Sequence, residues 1–167
     1  MPLTHQQYQD EAIYRQIKVS RYATGQANYA RSIVDKLNEE IAKFLLKKEL
    51  IETKGQYAEC RVYIQKLCIE YRDRLYRYLE KELREFVKEQ STWVYQHSPV
   101  KLKKAKIDKI ARNIFFEAFS DNDNIKSYVQ RIFNQVYQLW NNQLSIAYRI
   151  KLPMKDMVEL VMGKENS

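Results

Sequence analysis

Three glycines and three prolines are all the strong backbone punctuation that 167 residues carry, and this scarcity constrains the fold more than any motif does. A β-sandwich or barrel of this length needs a turn signal roughly every 8–12 residues, far more than six such residues can mark. Long helices need few turns, so the expected fold class is all-α. Hydrophobic residues make up 45% of the chain and charged residues 30%, enough apolar surface for a core and enough charge to fold in water. No window approaches about 18 consecutive uncharged apolar residues, so no membrane segment is expected. The opening Met1 to Gln7 has neither the basic segment nor the apolar run of a secretory signal.

Apolar residues recur at helical spacing through Ala30, Ile33, Val34, Leu37, Ile41, Phe44 and Leu45, which predicts a helix over about 26–50. Thr24-Gly25-Gln26 separates it from an earlier stretch at 4–22 carrying Ala12, Ile13, Ile17 and Val19. That stretch reads as an N-terminal arm, with a kink as the alternative to a full break. Thr53 and Gln56 have capping-box spacing and open a second stripe: Tyr57, Cys60, Ile64, Leu67, Cys68, Tyr71, Leu75, Tyr78, Leu79 and Phe86, running to Trp93 and Val94. Nothing interrupts it before Pro99. Forty helical residues span about 60 Å, so the molecule must be elongated. The short connection at 51–55 favours an antiparallel helical hairpin.

Beyond Pro99 the pattern predicts a helix carrying Ile114, Phe115 and Phe119, a stop at Ser120 to Asn124, and a strongly aromatic helix from Ile125 to Ala147. Pro153 can open a last short helix and Gly163 can end it. The expected organisation is an arm at 1–25, a long hairpin at 26–98 and a C-terminal helical subdomain at 99–167 with a second core of its own.

Catalytic signatures are missing from the sequence: it has no Gly-rich phosphate loop, no Gly-x-Ser-x-Gly, no His-Glu-x-x-His, and no nucleophile beside a recognisable base. Acidic groups such as Glu39/Glu40 and Glu80/Glu82/Glu85 lie among Lys and Arg at helical spacing, the pattern of a solvated face. Cys60 and Cys68, eight residues apart on one helix, are about 12 Å from each other, too far for a disulfide, and with His5 and His97 they make no zinc spacing. They read as reduced, half-buried thiols. The expectation is a non-enzyme with no cofactor and no metal.

Charge and tyrosine carry more information. Lys101, Lys103, Lys104, Lys106, Lys109 and Arg112 face only Asp108 in one twelve-residue stretch, which holds most of the formal net charge of +8. Such a cluster either contacts nucleic-acid phosphates without sequence preference or is a solvated helix start. Of the 13 tyrosines, Tyr71 and Tyr78 fall on the apolar stripe of the second helix, while Tyr63 and Tyr76 fall off it. Off-stripe tyrosines, with Trp93 near the end of that helix, are candidate partner-interface residues, the alternative being packing against several neighbours.

The order of features resembles that of the minor head proteins of tailed bacteriophages, the head-morphogenesis family typified by the phage Mu minor head protein. The similar stretches are Tyr14 to Tyr22 with the helix from Ala30 to Leu46, the long helix from Tyr71 to Trp93, and the segment from Leu139 to Gly163, in which Trp140, Arg149, Pro153, Met157 and Gly163 stand in the family's places. The chain departs in one turn, since Arg149 to Pro153 contains no glycine where the family usually has one. It also ends at Ser167, where many relatives continue into a further domain. The resemblance implies a structural virion component inside the head, assembled in the host cytoplasm, present in few copies, and docked on portal or coat protein near packaged DNA. Exit with the genome is one open fate. The alternative, from the charge, is a basic helical nucleic-acid-binding protein acting through residues 101–112.

Overall fold

The computed structural model describes residues 4–97 and 125–163, together with Lys106 and Lys109. The chain is all-α, with four helices among the described residues: α1 (His5–Leu46), α2 (Lys54–His97), α3 (Ile125–Ile150) and α4 (Met154–Met162). The helix expected over 101–120 falls outside the described residues, apart from helical, exposed Lys106 and Lys109.

Helix α1 runs unbroken through Gly25, so the expected boundary between arm and hairpin is corrected: position 25 lies inside one 42-residue helix. Gly25 has open space around it, and the helix continues with Thr24 Oγ1 donating back to Ser20 O at 3.0 Å. One glycine costs about 1 kcal/mol in a helix interior, which the flanking turns outweigh. The start is fixed by a capping box in which Thr4 Oγ1 accepts from Gln7 N and Gln7 Oε1 accepts from Thr4 N. The box read at Thr53 and Gln56 is present: Thr53 Oγ1 accepts from Gln56 N at 3.1 Å, and Gln56 Oε1 accepts from Thr53 N at 3.1 Å.

Helices α1 and α2 pair antiparallel, and aromatic rings mark the register. Tyr22 stacks on Phe86, Tyr29 on Tyr78 and Phe44 on Tyr63, with centroids 4.4, 3.5 and 3.8 Å apart, and Lys48 pairs with Glu59 at 3.3 Å. In each pair the two residue numbers add up to 107 or 108, the constant sum required of antiparallel helices. Leu37, Ile41, Ile64 and Leu75 are wholly buried along the seam.

The aromatic helix α3 forms no core of its own. Val129, Phe133, Trp140 and Leu144 join the hairpin residues and Met154, Met157 and Val158 of α4 in one continuous core, which corrects the expected second core. Helix α3 lies mainly along α2, while α4 packs on both α1 and α3. Trp140 is fully buried, and its indole N–H donates to Asn38 Oδ1 at 2.9 Å.

The two turns meet at one end of the bundle. Met154 N donates to Glu49 O at 2.7 Å, Lys151 Nζ donates to Glu52 O at 2.7 Å, and Tyr57 stacks on Tyr148. Each turn contains a left-handed residue that is not glycine, Glu49 (φ 59) and Lys151 (φ 55). Lys151 thus takes, in the glycine-free turn, a conformation that glycine adopts most easily. Gly163, with φ 84, ends α4 as read from the sequence.

Leu75→Ala is expected to cost about 2–5 kcal/mol as a closed-core truncation. Trp140→Phe is expected to cost about 1–3 kcal/mol by leaving Asn38 without its donor. Denaturant unfolding measures both, and an unchanged midpoint for either contradicts the packing described.

Candidate functional site

Helix α3 begins level with Leu83 and Val87 of α2, against which Ile125 packs. From there α1 runs back toward its start for roughly 20 residues, or about 30 Å at 1.5 Å per residue. Among the described residues this part is a two-helix stalk, and its hydrophobic content is only partly used. Tyr22 and Phe86 close on each other, but Ile13, Tyr14 and Ile17 are 59%, 59% and 45% exposed. Ile13 and Ile17 are one turn apart on the same face, with Tyr14 beside them and Lys18 Nζ 5.2 Å from its ring centroid. An exposed apolar row rimmed by cations is the surface character of a contact site.

Beside it, Lys18 and Arg21 of α1 and Glu82, Glu85 and Glu89 of α2 line a groove of about 360 Å³ over Tyr22 and Phe86. Burial, then the negative charge of Glu82 and the neighbouring Tyr78, push the Tyr22 hydroxyl up to about 12. A phenol so held stays protonated at neutral pH. A second groove, of about 510 Å³, lies where α4 meets the hairpin; Lys36, Glu39, Glu40, Lys43 and Tyr71 line it. Burial, followed by a hydrogen bond to Glu40, raises the Tyr71 hydroxyl as well. Both grooves are open and of mixed charge. Among the described residues no three His, Cys, Asp or Glu side chains are grouped to hold a metal ion, and no helix is long and apolar enough to cross a membrane.

The sequence candidates separate. Tyr76 belongs to the fold: its ring packs on the core, and its hydroxyl donates to Lys126 O at 3.0 Å, tying α2 to α3. Tyr63 shares its ring with Phe44 and remains 37% exposed. The side chain of Trp93, and Lys101, Lys103, Lys104 and Arg112, lie outside the described residues, whereas Lys106 and Lys109 are exposed. The exposed row on α1 was missed as a site because Ile13 and Ile17 carry the same periodicity as the buried positions that follow. Only the level at which α3 starts separates them.

Cys60 and Cys68 are free and buried, more deeply than their half-buried reading. Burial pushes the Cys68 thiol up to about 11. The chain matches no protein-family model, no curated protein and no solved structure.

The raised thiol has a consequence in alkali. The folded value lies above the ordinary 9.0, so the stability that Cys68 contributes is intact below pH 9.0 and is lost as pH rises toward 11. Unfolding free energy is expected to fall by the order of 2 kcal/mol over that interval from this group. Cys68→Ala should flatten the fall, and denaturant melts from pH 8 to 11 compare the two proteins.

Proposed function

We propose that this chain is a non-enzymatic structural protein that works by docking, and that its assembly is the head of a tailed phage, with portal or inner coat protein as the partner. The observation that carries the docking role is the row of Ile13, Tyr14 and Ile17 on the stalk, held away from a body whose own core is complete without it. A stiff pair of helices joined by stacked rings can present such a row to a recess in a larger assembly, and docking of an amphipathic helix into a groove requires this kind of spacing. The phage setting is supported by the resemblance of residues 14–46, 71–93 and 139–163 to head-morphogenesis proteins. Placement inside the head, with exit alongside the genome as an open fate, belongs to the same proposal.

The test is incorporation into particles. Ile13→Asp with Ile17→Asp should leave the thermal melt of the body nearly unchanged and reduce copies per head by at least about tenfold, the loss expected from removing a contact worth 1.4 kcal/mol or more. Neutralising Lys101, Lys103, Lys104 and Lys106 should leave incorporation intact while flattening the log–log salt slope of any DNA affinity by up to about 3.6. The reverse pattern, with the lysine variant excluded and the stalk variant incorporated, would replace docking by nucleic-acid binding through residues 101–112.

A further inference from the structure

Helix α1 changes character at one place. The constant sum that relates α1 to α2 puts Gly25 opposite Glu82 and Leu83, and Leu83 is where Ile125 of α3 begins to pack. Every turn of α1 after Gly25 is therefore level with α3 and α4, whereas the turns before it have, among the described residues, α2 alone. Three local features coincide at this boundary. Gly25 has nothing within 4 Å of where a Cβ would stand. Thr24 Oγ1 donates back to Ser20 O at 3.0 Å, a side-chain bond to the preceding turn of the kind that bends helices. Gln26, whose side chain donates to the Tyr78 hydroxyl, leaves its Oε1 buried with no hydrogen-bond partner. The straight helix thus carries an unpaired acceptor that water can satisfy once the turn opens.

Little holds the preceding arm, His5 to Thr24, against α2. Its isoleucines, Ile13 and Ile17, are largely exposed and add little to the seam. Tyr22 on Phe86 closes the stalk beside the boundary, and among the described residues no other ring stack lies beyond it toward the tip. Farther out, Lys18 and Arg21 form one wall of the groove of about 360 Å³, and Glu82, Glu85 and Glu89 form the other. Opposite charges face each other there, yet among the described residues no ion pair joins the two walls. Their attraction acts through solvent and is screened by salt.

We propose that α1 is hinged at Thr24-Gly25 and that the arm before it swings, as an intact helix, between a latched position against α2 and an open one. The latch is the Tyr22–Phe86 stack together with the facing charges of the groove. Helix bends of more than about 20° have local causes of this kind. An arm of about 30 Å moves its end by about 10 Å through such an angle. Opening hydrates Gln26 Oε1 and gives up one stack and a few screened attractions, so the two positions are close in free energy and both are populated. Salt shifts the balance toward the open one. Latched, the two helices form the stiff stalk; released, the arm carries Ile13, Tyr14 and Ile17 clear of α2. The hinge does not depend on what docks on that row.

Spin labels on Gln9→Cys and Lys88→Cys in the full chain read the swing as a distance, and Cys60 and Cys68 are buried and do not compete for label. In about 50 mM NaCl one short distance should dominate, and in about 500 mM a second, several ångströms longer, should grow severalfold. Phe86→Ala removes the stack and should populate the longer distance at low salt. Gly25→Ala, whose new methyl group meets open space, should cut the open fraction about fivefold, the equivalent of the ~1 kcal/mol by which alanine exceeds glycine inside a helix. Amide exchange separates a swing from unwinding, because residues 12–22 of a swinging helix keep their backbone bonds and stay protected well beyond what the open fraction alone would give. A single distance indifferent to salt and to Phe86→Ala overturns the hinge. An open fraction untouched by Gly25→Ala also overturns it and moves the pivot elsewhere. Exchange of residues 12–22 at the rate set by the open fraction overturns it too, because the motion is then unwinding.

Discussion

The body of this protein depends on one tryptophan and one asparagine separated by 102 positions. Trp140 is wholly buried in the shared core, and its N–H is too polar to sit there unsatisfied. Asn38 answers that need: its Oδ1 accepts the indole N–H at 2.9 Å and ties the position of α3 to that of α1. Once α3 is seated, its C-terminal turn has to arrive beside the α1–α2 turn. The bond from Met154 N to Glu49 O and the Tyr57–Tyr148 stack then follow from that placement.

The stacked rings explain a composition that looked like an interface. Thirteen tyrosines suggest contacts with other molecules, yet Tyr29, Tyr57, Tyr63 and Tyr78 all stack across helices within the chain, and Tyr76 bonds to α3. Flat side chains placed every few turns hold two long helices in one register where aliphatic stripes alone would tolerate sliding. Cations extend the stacks at the clasped end, with Arg61 over Tyr57 and Lys151 over Tyr148.

Local signals in the sequence matched the structure. Helical periodicity placed α2 and α3, the Thr53–Gln56 box opened α2, and Pro153 and Gly163 bounded α4 within a residue. Long-range relations did not show. A glycine at 25 looks like a break because its neighbours in sequence give it no support, while the packed turns downstream that carry the helix through are invisible at that point. The aromatic run of α3 looks like a separate core because periodicity says which face is apolar and not what will cover it. The same limit hid the exposed row on α1. Ile13 and Ile17 read as core until the ends and faces of the neighbouring helices are known. The left-handed Lys151 follows from the need to reverse direction in a turn without glycine, which the sequence flagged as a departure without saying which residue would absorb it.

The clasp between the two turns gives the molecule mechanical polarity. Backbone and side-chain bonds, stacked rings and the tryptophan are concentrated toward one end, while the other, among the described residues, is two helices held by a few rings. Opening free energy should rise along the long axis, so that backbone amides near His5 exchange with solvent fastest and those near Ile41 and Ile64 only with global unfolding. A molecule built this way yields at its tip. A tip that unwinds by a turn or two can fit its contour to a surface at little cost, while the clasped end keeps the aim of the stalk fixed.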